Sequence, residues 1–151
     1  MKNEDEYAFR VDGVRVEGGI YTAVGAWCAD KAAAKAQYGP IASWDTSEIT
    51  DMSDLFNGKA DFNEDISRWD VSNVTSLIGT FYGATSFNGD LSRWDVSKVT
   101  FMTCMFTDAT SFDQQLGDAW ARSKANNKDF MFFRSPGSIV GKTNDAHGTP
   151  E

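Results

Sequence analysis

Ile41-Ala42-Ser43-Trp44-Asp45-Thr46-Ser47 returns as Ile66-Ser67-Arg68-Trp69-Asp70-Val71-Ser72, and again as Leu91-Ser92-Arg93-Trp94-Asp95-Val96-Ser97. The spacing is 25 residues each time, and positions further along recur with it. Ile49, Val74 and Val99 match, as do Thr50, Thr75 and Thr100, then Met52, Leu77 and Met102. Phe56, Phe81 and Phe106 follow, and then Phe62, Phe87 and Phe112. A fixed period of this length marks a repeat array, in which each unit buries its apolar side only against its neighbours.

Within a unit two local patterns alternate. Trp94-Asp95-Val96 alternates apolar and polar, as a short strand does, which turns Trp and Val inward and Asp95 and Arg93 outward. The runs Thr50 to Gly58, Thr75 to Gly83 and Thr100 to Asp108 pair apolar residues four apart, with Thr as a candidate N-cap and Gly at a left-handed exit. The expectation is an α/β repeat: a short leucine-rich-repeat-like right-handed solenoid with parallel strands, short helical turns and an N-terminal helical cap.

The flanks divide the chain into 1–40, 41–120 and 121–151. In the first part, Phe9 and Val11 precede Asp12-Gly13, with Val14 and Val16 after it. A two-residue turn there predicts a hairpin with Arg10 beside Arg15. From Ile20 to Tyr38 the periodicity is helical, with Asp30 placed to cap a second piece and Gly39-Pro40 ending it. After Leu116 the repeat degrades: Trp120 lies 26 residues beyond Trp94, and Ala121 stands where Asp follows Trp. Phe130-Met131-Phe132-Phe133 is expected to close that end, and the Gly-, Ser- and Asn-rich tail to fray.

Charge narrows the partners. The chain carries a net charge of −8 over 151 residues. Residues 41–116 hold four basic against twelve acidic groups, so the repeats carry all of it. Nucleic acid needs a cationic stripe that this region lacks. No apolar run is long enough to span a membrane, and the first residues show no signal peptide. Cys28 and Cys104 are too few for a disulfide framework.

Trp-Asp-x-Ser-x-Val-Thr, as in Trp69-Asp70-Val71-Ser72-Asn73-Val74-Thr75, runs on to Phe81-Tyr82-Gly83-Ala84-Thr85-Ser86-Phe87-Asn88-Gly89-Asp90-Leu91-Ser92. This pattern resembles the repeat of the BspA-like leucine-rich-repeat surface proteins, over roughly residues 20–120. The resemblance implies a secreted or cell-surface address, adhesion or protein binding, and no catalytic residues to carry over.

The candidate residues follow. Trp44, Trp69, Trp94 and Trp120 are expected as an internal aromatic ladder rather than a sugar-stacking platform. Asp45, Asp70 and Asp95 are expected in an outward column with Arg68 and Arg93 on the same face, able to neutralise them across units. Such a column attracts the thought of Ca²⁺, but no dense oxygen-rich loop accompanies it. Asp65, Asp90, Asn63 and Asn88 read as turn residues. The Thr50, Thr75, Thr100 rank reads as helix capping rather than an ice-binding array. Gly141-Lys142-Thr143 is a poor phosphate loop, since Pro136 stands where its first Gly belongs. His147 has no partner for catalysis. The reading is a non-enzymatic binding or adhesion module for a protein or cell-surface partner. It requires no cofactor, and its surface is formed by Arg68, Asp70, Arg93, Asp95 and Asp45. The alternative is a structural module that self-associates through its C-terminal edge; a Ca²⁺-binding array ranks below both.

Overall fold

The computed structural model describes residues 4–141; His147, Lys142, Thr143 and the tail beyond lie outside the described residues. A hairpin of β1 (Arg10–Val11) and β2 (Val14–Arg15) opens the chain, with Arg10 opposite Arg15 across the Asp12-Gly13 turn. Phe9 is fully buried, whereas Val14 is 69% exposed, so the four apolar residues of the hairpin do not share a buried face. Helices α1 (Gly19–Ala29) and α2 (Lys31–Tyr38) follow, packed on each other. Asp30 separates them, and its carboxylate accepts the Ala33 N–H at the start of α2, which supplies one of the donors a helix start leaves open.

The expected leucine-rich-repeat-like solenoid is not the fold. The described residues contain three short helices and two separate two-stranded sheets, the second formed by β3 (Gln115–Leu116) and β4 (Ser138–Ile139), parallel. The third helix, α3 (Asp118–Ala121), follows the repeats. Between Trp44 and Gln114 there is neither helix nor strand, only turns and single-residue parallel bridges such as Asp51 to Ser76 and Ser76 to Phe101. No strand forms at Trp94-Asp95-Val96, and no helix at Thr50 to Gly58 or its copies.

The reason lies in the backbone. Asp54, Gly58, Gly79, Gly83, Cys104, Asp108, Phe130 and Arg134 all have φ between 56° and 72°, so every fourth residue of these runs is left-handed. A left-handed residue cannot continue an α-helix. The chain instead makes tight turns in which Leu55, Asn57 and Lys59 donate back three residues to Met52, Asp54 and Phe56. The intervening amides face the next unit: Met52, Asp54, Phe56 and Gly58 donate to the carbonyls of Ser76, Ile78, Thr80 and Tyr82 at 2.8–3.1 Å. The pattern repeats from Leu77, Gly79, Phe81 and Gly83 to Phe101, Thr103, Met105 and Thr107, and again from the third unit to Asn127, Asp129, Met131 and Phe133. Apolar residues four apart thus mimic a helix while the hydrogen bonds run between units.

The threonine rank serves the same bonding and caps no helix. Thr75 Oγ1 donates to the Thr50 carbonyl and Thr100 Oγ1 to that of Thr75, at 3.1 and 3.2 Å. The same carbonyls accept the Thr75 and Thr100 amides at 2.8 Å.

The core runs through the units as columns of like residues. Phe56, Phe81, Phe106 and Phe132 stack with centroids 5.3, 5.5 and 5.4 Å apart and planes within 7°. Phe62, Phe87 and Phe112 form a second stack beside it. Burying each such ring contributes about 1.5–3 kcal/mol. All four repeat tryptophans are buried, but Trp44 and Trp69 are the tryptophan pair in stacked contact. Their indoles are held instead by hydrogen bonds to backbone: Trp69, Trp94 and Trp120 donate Nε1–H to the carbonyls of Ile41, Ile66 and Leu91 at 2.8, 3.0 and 3.3 Å. The continuous aromatic ladder is therefore made of phenylalanines.

The C-terminal cluster is only partly closed. Met131 is buried and Phe132 extends the stack, but Phe130 and Phe133 are 66% and 48% exposed. No helix among the described residues is long and apolar enough to cross a membrane.

Candidate functional site

Asp45, Asp70 and Asp95 are exposed on successive units, in the turn that follows each buried tryptophan. Each turns one oxygen inward: Oδ1 accepts the amide of Ser47, Ser72 or Ser97, at 2.9–3.0 Å. The Ser47 and Ser72 hydroxyls add bonds of 2.6 Å. This is the Asx turn, in which a short carboxylate replaces a backbone acceptor. Ser47 holds the Asp45 carboxyl below the usual carboxylate range, helped by Arg10, and Ser97 does the same for Asp95, helped by Lys98. Neither serine carries charge, so the carboxylates stay ionised and outward.

The arginines do not neutralise this column. No ion pair within 4 Å involves Arg68 or Arg93 among the described residues. Both guanidinium groups are exposed, and their field acts on a second carboxylate pair. Asp65 and Asp90 are lowered first by Ser67 and Ser92, then by Arg68 and Arg93 beside Asp65 and by Arg93 beside Asp90. The arginine influence thus falls on carboxylates five residues before the expected ones, while Asp70 and Asp95 are bonded to the serines two residues on.

Asn63 and Asn88 tie neighbouring units rather than their own turns. Asn63 Oδ1 accepts the Asn88 amide and Asn88 Oδ1 the Asp113 amide, both at 2.9 Å. Among the described residues no three His, Cys, Asp or Glu side chains are placed to share a metal ion. The carboxylates sit one per unit with Oδ1 committed to a turn, so they do not converge as calcium requires.

A cleft of about 560 Å³ that the sequence reading missed opens between α1, the start of α2 and the first repeat's loop. Gly25, Trp27 and Cys28 line one side, and Gly58 to Phe62 the other. Lys31 bridges it by an ion pair to Glu64 at 2.7 Å and lies over the Trp27 ring at 5.8 Å. Burial pushes the Cys28 thiol up, so it stays protonated. The Lys31–Glu64 bridge spans the opening, and Lys59, Asp61 and Cys28 also lie on its wall. Only long-range pairing reveals this cleft, and no local motif signals it.

A chain of stacked units with one fixed outward carboxylate per unit defines a repeat protein with a charged lateral face. Residues 28–139 match the profile of the family described as Mycoplasma protein of unknown function, DUF285, and the chain belongs to that family. No curated protein matches the chain. No solved structure matches it either.

Proposed function

We propose that the protein is a non-enzymatic binding module that presents the face of Asp45, Asp70 and Asp95, flanked by Arg68 and Arg93, to a protein or cell-surface partner. The observation that carries this reading is the Asx-turn column. Three exposed carboxylates are held at the unit spacing by neutral serines, each through its Oδ1. Pre-positioned charge lowers the ordering cost of binding and favours a partner with basic groups in a matching row. The resemblance to surface-protein repeats supports an extracellular setting for it.

The test is a panel of immobilised peptides of graded charge, probed with the labelled chain at several salt concentrations. Retention on lysine- and arginine-rich peptides that weakens with salt is expected. Replacing all three residues by Asn keeps the Oδ1 acceptor and removes the charge. That variant should bind about tenfold more weakly, about 1.4 kcal/mol, while staying folded at a somewhat lower melting temperature, since the Asp45 and Asp95 charges strengthen their turns. Equal binding by the native and triple-Asn chains would reject this face.

A further inference from the structure

We propose that the C-terminal edge, formed by the amides of Lys128, Phe130, Phe132 and Arg134 around the buried Lys128 ammonium, takes an extended acidic polypeptide segment from another molecule. In the three units before it, the equivalent amides donate to the carbonyls of the following unit. In the last one the inward bonds are all made: Met131, Phe133 and Ser135 donate to Lys128, Phe130 and Phe132. The other four amides have no acceptor among the described residues. A row of unpaired amides at two-residue spacing is the edge to which a further peptide adds.

Two side chains narrow what fits. Lys128 occupies the column of Met52, Leu77 and Met102, which are all fully buried. It is itself only 9% exposed, and its Nζ has no hydrogen-bond partner. A buried side-chain nitrogen without a partner is unfavourable, and a carboxylate in the next unit's place would supply one. Phe132 ends the phenylalanine stack, so an aromatic ring four residues beyond the carboxylate would continue it. The other orphan, Ser123 Oγ, has a simpler cause. Its counterparts Ser47 and Ser72 bond to Asp45 and Asp70, and Ala121 has replaced that carboxylate.

A second copy of the chain is a poor occupant. Two such edges facing each other would set amide against amide. The opposite end of the array is partly covered by the N-terminal segment: Thr50 and Asp51 donate to the Glu6 carbonyl, and the Tyr21 hydroxyl donates to the Ser53 carbonyl at 2.6 Å. Burial pushes the Tyr21 phenol well above its ordinary value, so that cap persists at any physiological pH. The open edge therefore calls for a partner that brings its own carbonyls.

The probe is a fluorescent peptide with the sequence of residues 50–63 carrying Met52→Glu, which supplies the carbonyl row, the carboxylate and Phe56. Titrated against the full chain, it should bind saturably and about tenfold more tightly than the same peptide with Met. Lys128→Met in the chain should reverse that preference, and methionine suits this column, so the variant keeps its fold. Hydrogen exchange should slow at the amides of Lys128, Phe130, Phe132 and Arg134 when the peptide is bound. No saturable binding up to about 1 mM, a weak affinity even for a transient complex, would overturn the proposal. So would binding that leaves those four amides unprotected, or a dimer of the chain alone that protects them.

Discussion

Gly79 tests the backbone account most sharply, because two readings of the same residues predict opposite signs. Were Thr75 to Gly83 helical, Gly79→Ala would stabilise the protein by about 1 kcal/mol, the usual gain of alanine over glycine inside a helix. In the structure Gly79 has φ 60° and an added Cβ would land against Asp54 Oδ1. The left-handed conformation costs a Cβ-bearing residue about 1–2 kcal/mol. Asp54 must also move and give up its bond to Asn57 Nδ2 at 3.0 Å, an exposed hydrogen bond contributing about 0.5–1 kcal/mol. The sum is a loss of about 1.5–3 kcal/mol, or about 3–12 °C in melting temperature for a chain of this size. Urea unfolding followed by tryptophan fluorescence measures it directly. Asp54→Gly as background removes the collision, so there Gly79→Ala should cost only the conformational part, about 1–2 kcal/mol. Cys104, with φ 57° at the equivalent position, gives the reciprocal: Cys104→Gly should be neutral or stabilising by up to about 1 kcal/mol. A more stable Gly79→Ala protein would refute the left-handed reading of these runs.

Trp69→Phe keeps an aromatic ring but removes the Nε1–H bond to the Ile41 carbonyl at 2.8 Å, leaving that carbonyl with the Trp44 amide at 3.3 Å. A loss of about 1–3 kcal/mol is expected from the lost hydrogen bond and the smaller ring, and an unchanged denaturation midpoint would show that the indole bond contributes nothing. Acid should weaken the fold in a defined window. Asp45, Asp65, Asp90 and Asp95 are all held below the unfolded carboxylate value, chiefly by their serines. The unfolded chain therefore binds protons first, and the stabilisation is complete above about pH 4 and lost as pH falls through the lowered folded values. Melting temperatures between about pH 5 and pH 2 should drop more steeply in the native chain than in the Asp45, Asp65, Asp90 and Asp95 to Asn variant; parallel curves would count against these turns as the source.

Much of the arrangement was legible because repetition exposes it. The columns of Trp, Phe and Thr could be read straight off the 25-residue period, since like residues in stacked units fall on one another. Burial of the tryptophans followed from apolar alternation, and the Arg10–Arg15 register from the Asp12-Gly13 turn. What misled was the local conformation between Thr50 and Gly58. Met52 and Phe56 are four apart in a helix, and also four apart in a chain whose every fourth residue is left-handed. Cys104 and Phe130 carry no hint of that conformation in their residue type, and Asp54 only the mild tolerance of aspartate for it, so the backbone is what shows it. The phenylalanine stacks and the Lys31–Glu64 bridge depend on contacts between units, which sequence spacing lists but does not orient.

By itself, then, the sequence determined the period, the core columns and the acidity of the repeats. The tertiary structure decided how amides and carbonyls were shared between units, which carboxylate met which arginine, and where the bonding stopped. The physical reason is common to all three. Side-chain hydrophobicity is written residue by residue, but a hydrogen bond needs two groups brought to within about 3 Å. That meeting is set by the left-handed residues and by stacking across 25 positions. It leaves the amides of Lys128, Phe130, Phe132 and Arg134 as donors with no acceptor among the described residues.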